Sequence, residues 1–177
     1  MRVVLQKVAN ASVTVGDRVV GKIGKGVCVL IGIYKDDTVK DMDYMIKKIL
    51  GMRVFEDDSG KMWTKSVKDL GLEVLCVSQF TLYGKTNKGN KPDFHDSMRS
   101  EQSRDFYNEF VVKLRSQYDA SKIQEGEFGA MMLVNIANDG PVTLELDSRK
   151  FTYNDQIKTQ SNESSSSSST PVPATQP

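Results

Sequence analysis

The strongest constraint on the fold lies in the first fifth of the chain, where runs of β-branched and aliphatic residues alternate with short polar or glycine breaks. The runs Val3 to Val8, Ala11 to Val15, Val19 to Ile23 and Val27 to Ile33 are broken by Asn10, by Gly16-Asp17 and by Gly24-Lys25-Gly26. Branched side chains suit a pleated, half-buried surface, so these runs predict strands, with Gly16-Asp17 as a hairpin turn. The period then changes. Val39, Met42, Met45, Ile46 and Ile49 recur at three- and four-residue steps, which predicts an amphipathic helix over 38–50. Thr38 and Asp41 stand in capping-box positions, and Gly51 is expected just past the end. A sheet followed by a one-sided helix must bury both apolar faces against each other, so the fold class is α/β in layers.

The rest of the chain repeats the pattern. Arg53 to Phe55 suits a short strand, Asp57 to Gly60 a turn, and Glu73 to Leu82 a buried strand with a polar end. Gly84 to Asp93 is a polar loop carrying Lys85, Lys88 and Lys91. A second helix is expected over 100–118, with Phe106, Phe110 and Leu114 on one face beside Tyr107 and Val111, and both helices cover one side of the sheet. Phe128 to Ile136 and Val142 to Leu146 are expected as two strands joined by a turn at Asn138-Asp139-Gly140-Pro141. With 177 residues, one domain over 1–150 and a tail over 151–177 is the natural division. The tail holds the serine run Ser164 to Ser169 and a Thr-Pro-Val-Pro segment; it offers too little apolar surface to offset the entropy of ordering and is expected to be disordered. No apolar run reaches the ~20 residues of a membrane span, and Met1 to Lys7 is charged too early for a signal peptide, so a cytoplasmic location without membrane contact is expected.

Counting residues removes most hydrolytic chemistries. The 24 basic and 23 acidic residues leave a net charge of +1, so any contact with nucleic acid must be local. His95 is the single histidine, and a serine or cysteine triad would have to rely on it alone. Cys28 and Cys76 lie within apolar runs, where a thiol behaves as a small core hydrophobe rather than a nucleophile or half of a disulfide. One histidine and two separated cysteines cannot make a four-ligand zinc site, and no glycine-rich phosphate loop is present, so neither metal nor cofactor is expected. Asp36-Asp37 and Asp57-Asp58 read as turn and cap residues rather than catalytic pairs. What remains is a site of backbone N–H groups and hydroxyls acting on an already activated substrate.

Two segments carry a resemblance. Ser78-Gln79-Phe80-Thr81-Leu82 and Asn138-Asp139-Gly140-Pro141-Val142-Thr143 are similar, in the expected order, to paired signatures of the D-aminoacyl-tRNA deacylase (D-tyrosyl-tRNA deacylase) family. Ala11 to Val15, Lys88 to Pro92 and Phe128 to Met132 extend the likeness, which covers about 1–148 and omits the tail. The resemblance implies a three-layer β/β/α sandwich with mixed, mostly antiparallel sheets and two main helices, assembled as a homodimer. It implies hydrolysis of the ester joining a D-amino acid, or glycine mischarged on tRNA-Ala, to the 3′ end of tRNA. Ser78, Gln79, Phe80 and Thr81 would line the site with their N–H groups on the ester carbonyl, and Phe128 and Met132 would flank the terminal adenine. Gly140-Pro141, in cis, would enter the partner's pocket and exclude L side chains, whereas the residues alone read as an ordinary turn. Likewise Phe128 and Met132 alone read as core, and the lysine loop equally as a phosphate contact or a solvated corner. Thr81 can be drawn as a nucleophile, but no base neighbours it in sequence, so a positioning role is the reading taken, with a ribose 2′-hydroxyl assisting. Where the family shows Gln-Arg-Val this chain has Gln6-Lys7-Val8, and lysine lacks the guanidinium fork. Rival readings are a nucleic-acid-binding adaptor that uses its tail for an unidentified partner, and a general esterase.

Overall fold

The computed structural model describes residues 1–149, so the expectation for the serine-rich tail lies outside the described residues. Strand β1 (Arg2–Val15) runs unbroken through Asn10. Val3 and Leu5 are fully buried on alternate positions, but Lys7 and Val8 are then buried in succession, and Ala11 and Val13 resume the alternation. A pleated strand shows alternate residues to opposite faces, so this break in phase turns the strand over. Val3 and Leu5 belong to one core, and Val8, Ala11 and Val13 to a second.

β2 (Arg18–Ile23) pairs antiparallel with the second half of β1, and β3 (Gly26–Gly32) with the first half, from Arg2↔Gly32 to Val8↔Gly26. β4 (Arg53–Phe55) and β5 (Lys65–Ser66) form a separate two-stranded ribbon. β6 (Glu73–Ser78) lies parallel to β3, and β7 (Ile123–Glu125) parallel to β6. Parallel neighbours need crossover connections. Helices α1 (Val39–Gly51) and α2 (Ser100–Gln117) lie in those two crossovers, and both pack on the face of Val3, Leu5, Val29, Ile31, Val74 and Cys76. The opposite face, with Cys28, Leu75 and Val77, is covered by the turned-over part of β1, by β2 and by β8 (Leu133–Asp147). Helices, central strands and folded-over strands make the three β/β/α layers. Gly21 permits this closure: a Cβ there would stand 2.4 Å from the Glu125 carbonyl oxygen of β7. Among the described residues no helix is long and apolar enough to cross a membrane.

Several expected boundaries move, each for a visible reason. The capping box of α1 is present, with the Thr38 N–H donating to Asp41 Oδ2 at 2.9 Å, but Gly51 is the last helical residue and Met52 closes the helix by donating to the Lys48 carbonyl. β6 stops at Ser78, and the expected strand end becomes a 3-10 turn, Phe80–Tyr83. Residues 128–132 stay outside β8 and begin with a turn in which Gly129 has φ 78°. Asn138 to Pro141 is not a hairpin. β8 pairs with β1 on both sides of it, with Gln6 facing Thr143 and Val8 facing Asn138, so residues 139–142 bulge out opposite Lys7 alone.

Candidate active site

A cavity of about 900 Å³ opens where β3 and β6 end. Ile31, Ile33 and Val77 form its apolar floor, Ser78, Gln79 and Phe80 one rim, and Phe128 and Met132 another. The strap ahead of α2 adds Phe94, His95, Ser97 and Arg99, and none of the described lining residues is an acid.

The rim is shaped by how β6 terminates. The Gln79 N–H donates to the Ile31 carbonyl at 2.7 Å, extending the β3–β6 ladder by one residue. That amide is spent on the sheet, which corrects the expectation that the amides of residues 78–81 would all face substrate. β3 ends at Gly32, so the chain has no further partner and winds up: Leu82 N–H donates to the Gln79 carbonyl at 3.3 Å and Gly84 N–H to that of Thr81 at 2.9 Å. The amides of Phe80 and Thr81 are the first two of this turn and have no carbonyl within it to bind. Phe80 lines the cavity, whereas Thr81, expected in the site with it, is the next residue along the turn and is not among the lining residues. Phe80 is 56% exposed and meets Phe94 edge to face at 5.0 Å. The Thr81 hydroxyl accepts from Gln79 Nε2 at 2.6 Å, and no base contacts it among the described residues.

The titrating groups fit a site without a side-chain nucleophile. Burial pushes the Cys28 thiol up to about 12 and raises Cys76 as well, so both are inert core groups. The His95 ring is exposed and contacts the Asp93 carboxylate, two residues before it. Lys35 and Lys85 both close on Asp96, at 3.0 and 2.6 Å, while Lys88 and Lys91 lie exposed on the loop. Phe128 packs against buried Tyr107 at 5.6 Å and also lines the cavity, with the Arg104 guanidinium 5.8 Å from its ring. Met132 lies over Gly126 and also lines the cavity.

Gly140 and Pro141 lie elsewhere. Their peptide bond is cis, Gly140 has φ 118°, and neither residue lines the cavity. Lys7 faces Val27, whereas Ser78 faces Ile31, so the corner and the rim are separated by four residues of central strand, about 13 Å. The corner is held from beneath. Asn138 Oδ1 accepts from the Val142 N–H at 3.1 Å, and Asn138 Nδ2 donates to the Thr143 hydroxyl at 2.8 Å. Lys7, 4% exposed, places its ammonium 3.1 Å from both Asp139 and Glu56. Its own backbone amide, Lys7 and Lys25 together hold the Glu56 carboxyl at about 2. A point charge shared between two carboxylates thus stands beneath the corner. The sequence reading missed Phe94, Ser97, Met98 and Arg99; apolar Phe94 and Met98 in a polar stretch were the available signal.

Residues 4–147 match the model of the D-Tyr-tRNA(Tyr) deacylase family. The chain is 55% identical over 148 residues to the D-aminoacyl-tRNA deacylase of Drosophila melanogaster, covering 84% of this chain and 92% of that one. Identity to the D-aminoacyl-tRNA deacylase 1 of Homo sapiens is also 55% over 148 residues, with 84% and 70% covered. Among solved structures, a chain named c-Myc DNA Unwinding Element Binding Protein superposes with a TM-score of 0.80 at 55% identity, covering 83% of this chain and 98% of that one. With this match along nearly all its described length, the chain belongs to the D-Tyr-tRNA(Tyr) deacylase family.

Proposed function

We propose that the protein hydrolyses the ester of D-aminoacyl-tRNA, releasing the D-amino acid and free tRNA. The observation that carries this reading is the pair of uncommitted amides, Phe80 and Thr81, at the start of the turn that leaves the cavity, with Phe80 in its lining and no acid among the described lining residues. An acyl transfer builds negative charge on the carbonyl oxygen, and fixed N–H donors stabilise that charge without a titrating side chain. Gln79 orients the Thr81 hydroxyl, which positions substrate, and the terminal ribose 2′-hydroxyl assists attack by water. Ser78, Phe128 and Met132 hold the 3′-terminal nucleotide.

The site is completed by a second copy of the chain. The corner and rim of one chain stand at opposite ends of the central strands, which supports their meeting across a homodimer. So does β8, a 15-residue edge strand that begins at Leu133, 65% exposed, just after Met131, 93% exposed, a surface that invites pairing. Within the dimer the carbonyls of the Gly140–Pro141 corner bind the substrate's α-amino group and leave no room for an L side chain. Glycine has no side chain to exclude, so glycyl-tRNA-Ala is also a substrate. Release of D-tyrosine from D-Tyr-tRNA with L-Tyr-tRNA spared is the expected result; equal rates on the two would overturn chiral selection.

The solved neighbour named for binding a DNA unwinding element favours a second reading, a DNA-binding adaptor. Specific retention of duplex DNA by full-length protein that releases no D-amino acid would favour it.

A further inference from the structure

The strap between the lysine loop and α2 is tied down across the cavity mouth. The Lys35 N–H donates to the Asp96 carbonyl and the Met98 N–H to the Ile33 carbonyl, each at 3.0 Å, and Tyr34 and Ser97 face one another in an antiparallel bridge. Lys35 and Lys85, from separate segments, clamp the Asp96 side chain. Ser97 is therefore delivered with little freedom beyond rotation of its own side chain. Its hydroxyl donates to the Phe80 carbonyl at 2.9 Å.

That carbonyl shares a peptide unit with the Thr81 N–H. A trans peptide is planar, with C=O and N–H pointing opposite ways, so holding the oxygen aims the hydrogen. In the 3-10 turn the oxygen points towards the C-terminal end, and the Thr81 N–H leaves from the N-terminal end beside that of Phe80. A hydrogen bond to the oxygen also polarises the unit and strengthens its N–H as a donor.

We propose that Ser97 is a positioning residue for ester hydrolysis, which fixes the Thr81 amide through the carbonyl of Phe80. This rests on the reading that the Thr81 amide stabilises the oxyanion. An interaction of that kind gains strength only in the transition state, so its loss lowers kcat and leaves KM alone. A lost substrate contact would instead raise KM.

The test uses full-length protein and D-Tyr-tRNA. Ser97→Ala is expected to lower kcat about five-fold, the scale of one neutral hydrogen bond, with KM within about two-fold and Tm unchanged. Ser97→Thr, which keeps the hydroxyl, restores the rate. Thr81→Pro removes the amide hydrogen that Thr81→Ala keeps, and it should fall at least about ten-fold below Thr81→Ala. With no N–H left to aim, adding Ser97→Ala to Thr81→Pro costs nothing further. An unchanged kcat for Ser97→Ala, a change in KM alone, a threonine no better than alanine, or full additivity with Thr81→Pro overturns the role of Ser97. A Thr81→Pro enzyme as active as Thr81→Ala overturns the oxyanion reading itself, and the proposal with it.

Discussion

The rim at residues 78–81 and the corner at residues 138–143 both present main-chain groups, yet they are built by opposite means. The rim arises where a strand buried on both faces runs out of partner: Gln79 makes the last ladder bond, and the following amides are released. The corner arises where an edge strand has too many residues for its partner, so that four of them bulge out opposite Lys7. Free amides come from a shortage of partner strand and the projecting corner from a surplus of chain. The rim thus inherits its rigidity from the core, whereas the corner depends on local ties to Asn138, Lys7 and Glu56.

The largest effect is expected at the corner. Gly140→Ala would place a Cβ 2.8 Å from Val142 Cγ2 at a φ of 118°, and deacylation should fall about 100-fold, the scale of losing a main site interaction. Because Gly140 is exposed, Tm should fall by only a few degrees; calorimetry beside a rate assay checks both. Next comes the rim. Thr81→Ala should lose about ten-fold in kcat but keep activity, since the amides remain. Complete loss with intact folding and tRNA binding would restore a nucleophilic threonine.

A smaller effect is expected beneath the corner. Lys7→Met leaves Asp139 without its cation and Glu56 with Lys25 alone, and should cost about 1–3 kcal/mol in urea unfolding, while Lys7→Arg should restore most of it. Smallest is the response to acid. The Glu56 carboxyl is held at about 2 against an ordinary 4.5, so its contribution is complete above about 4.5 and disappears as pH falls towards 2. Glu56→Gln should flatten the stability profile across that window. A slope unchanged by the substitution would show that the Lys7 brace does not couple to folding.

Much of this was legible in the sequence, because burial imposes its period on residue choice. The strands of residues 3–33 and both helices follow from Val, Ile and Met spacing. The turnover of β1 was also written there, as the move of apolar positions from Val3 and Leu5 to Val8, Ala11 and Val13, but Asn10 reads as a break unless the ladder to β8 is known. The same ladder is why Asn138 to Pro141 reads as a hairpin and is instead a bulge. Residues 78–81 and 140–141 stood out through family likeness, since backbone groups leave no residue-type signal of their own. Ser97 was invisible because its partner, the Phe80 carbonyl, is set by tertiary structure alone.

One long strand, β1, has a further consequence. Its first half walls the helix-side interior and its second half the opposite one, so the two compartments share one strand. Loosening at either end is felt along a single shared backbone, and the described residues should come apart in one concerted transition rather than layer by layer.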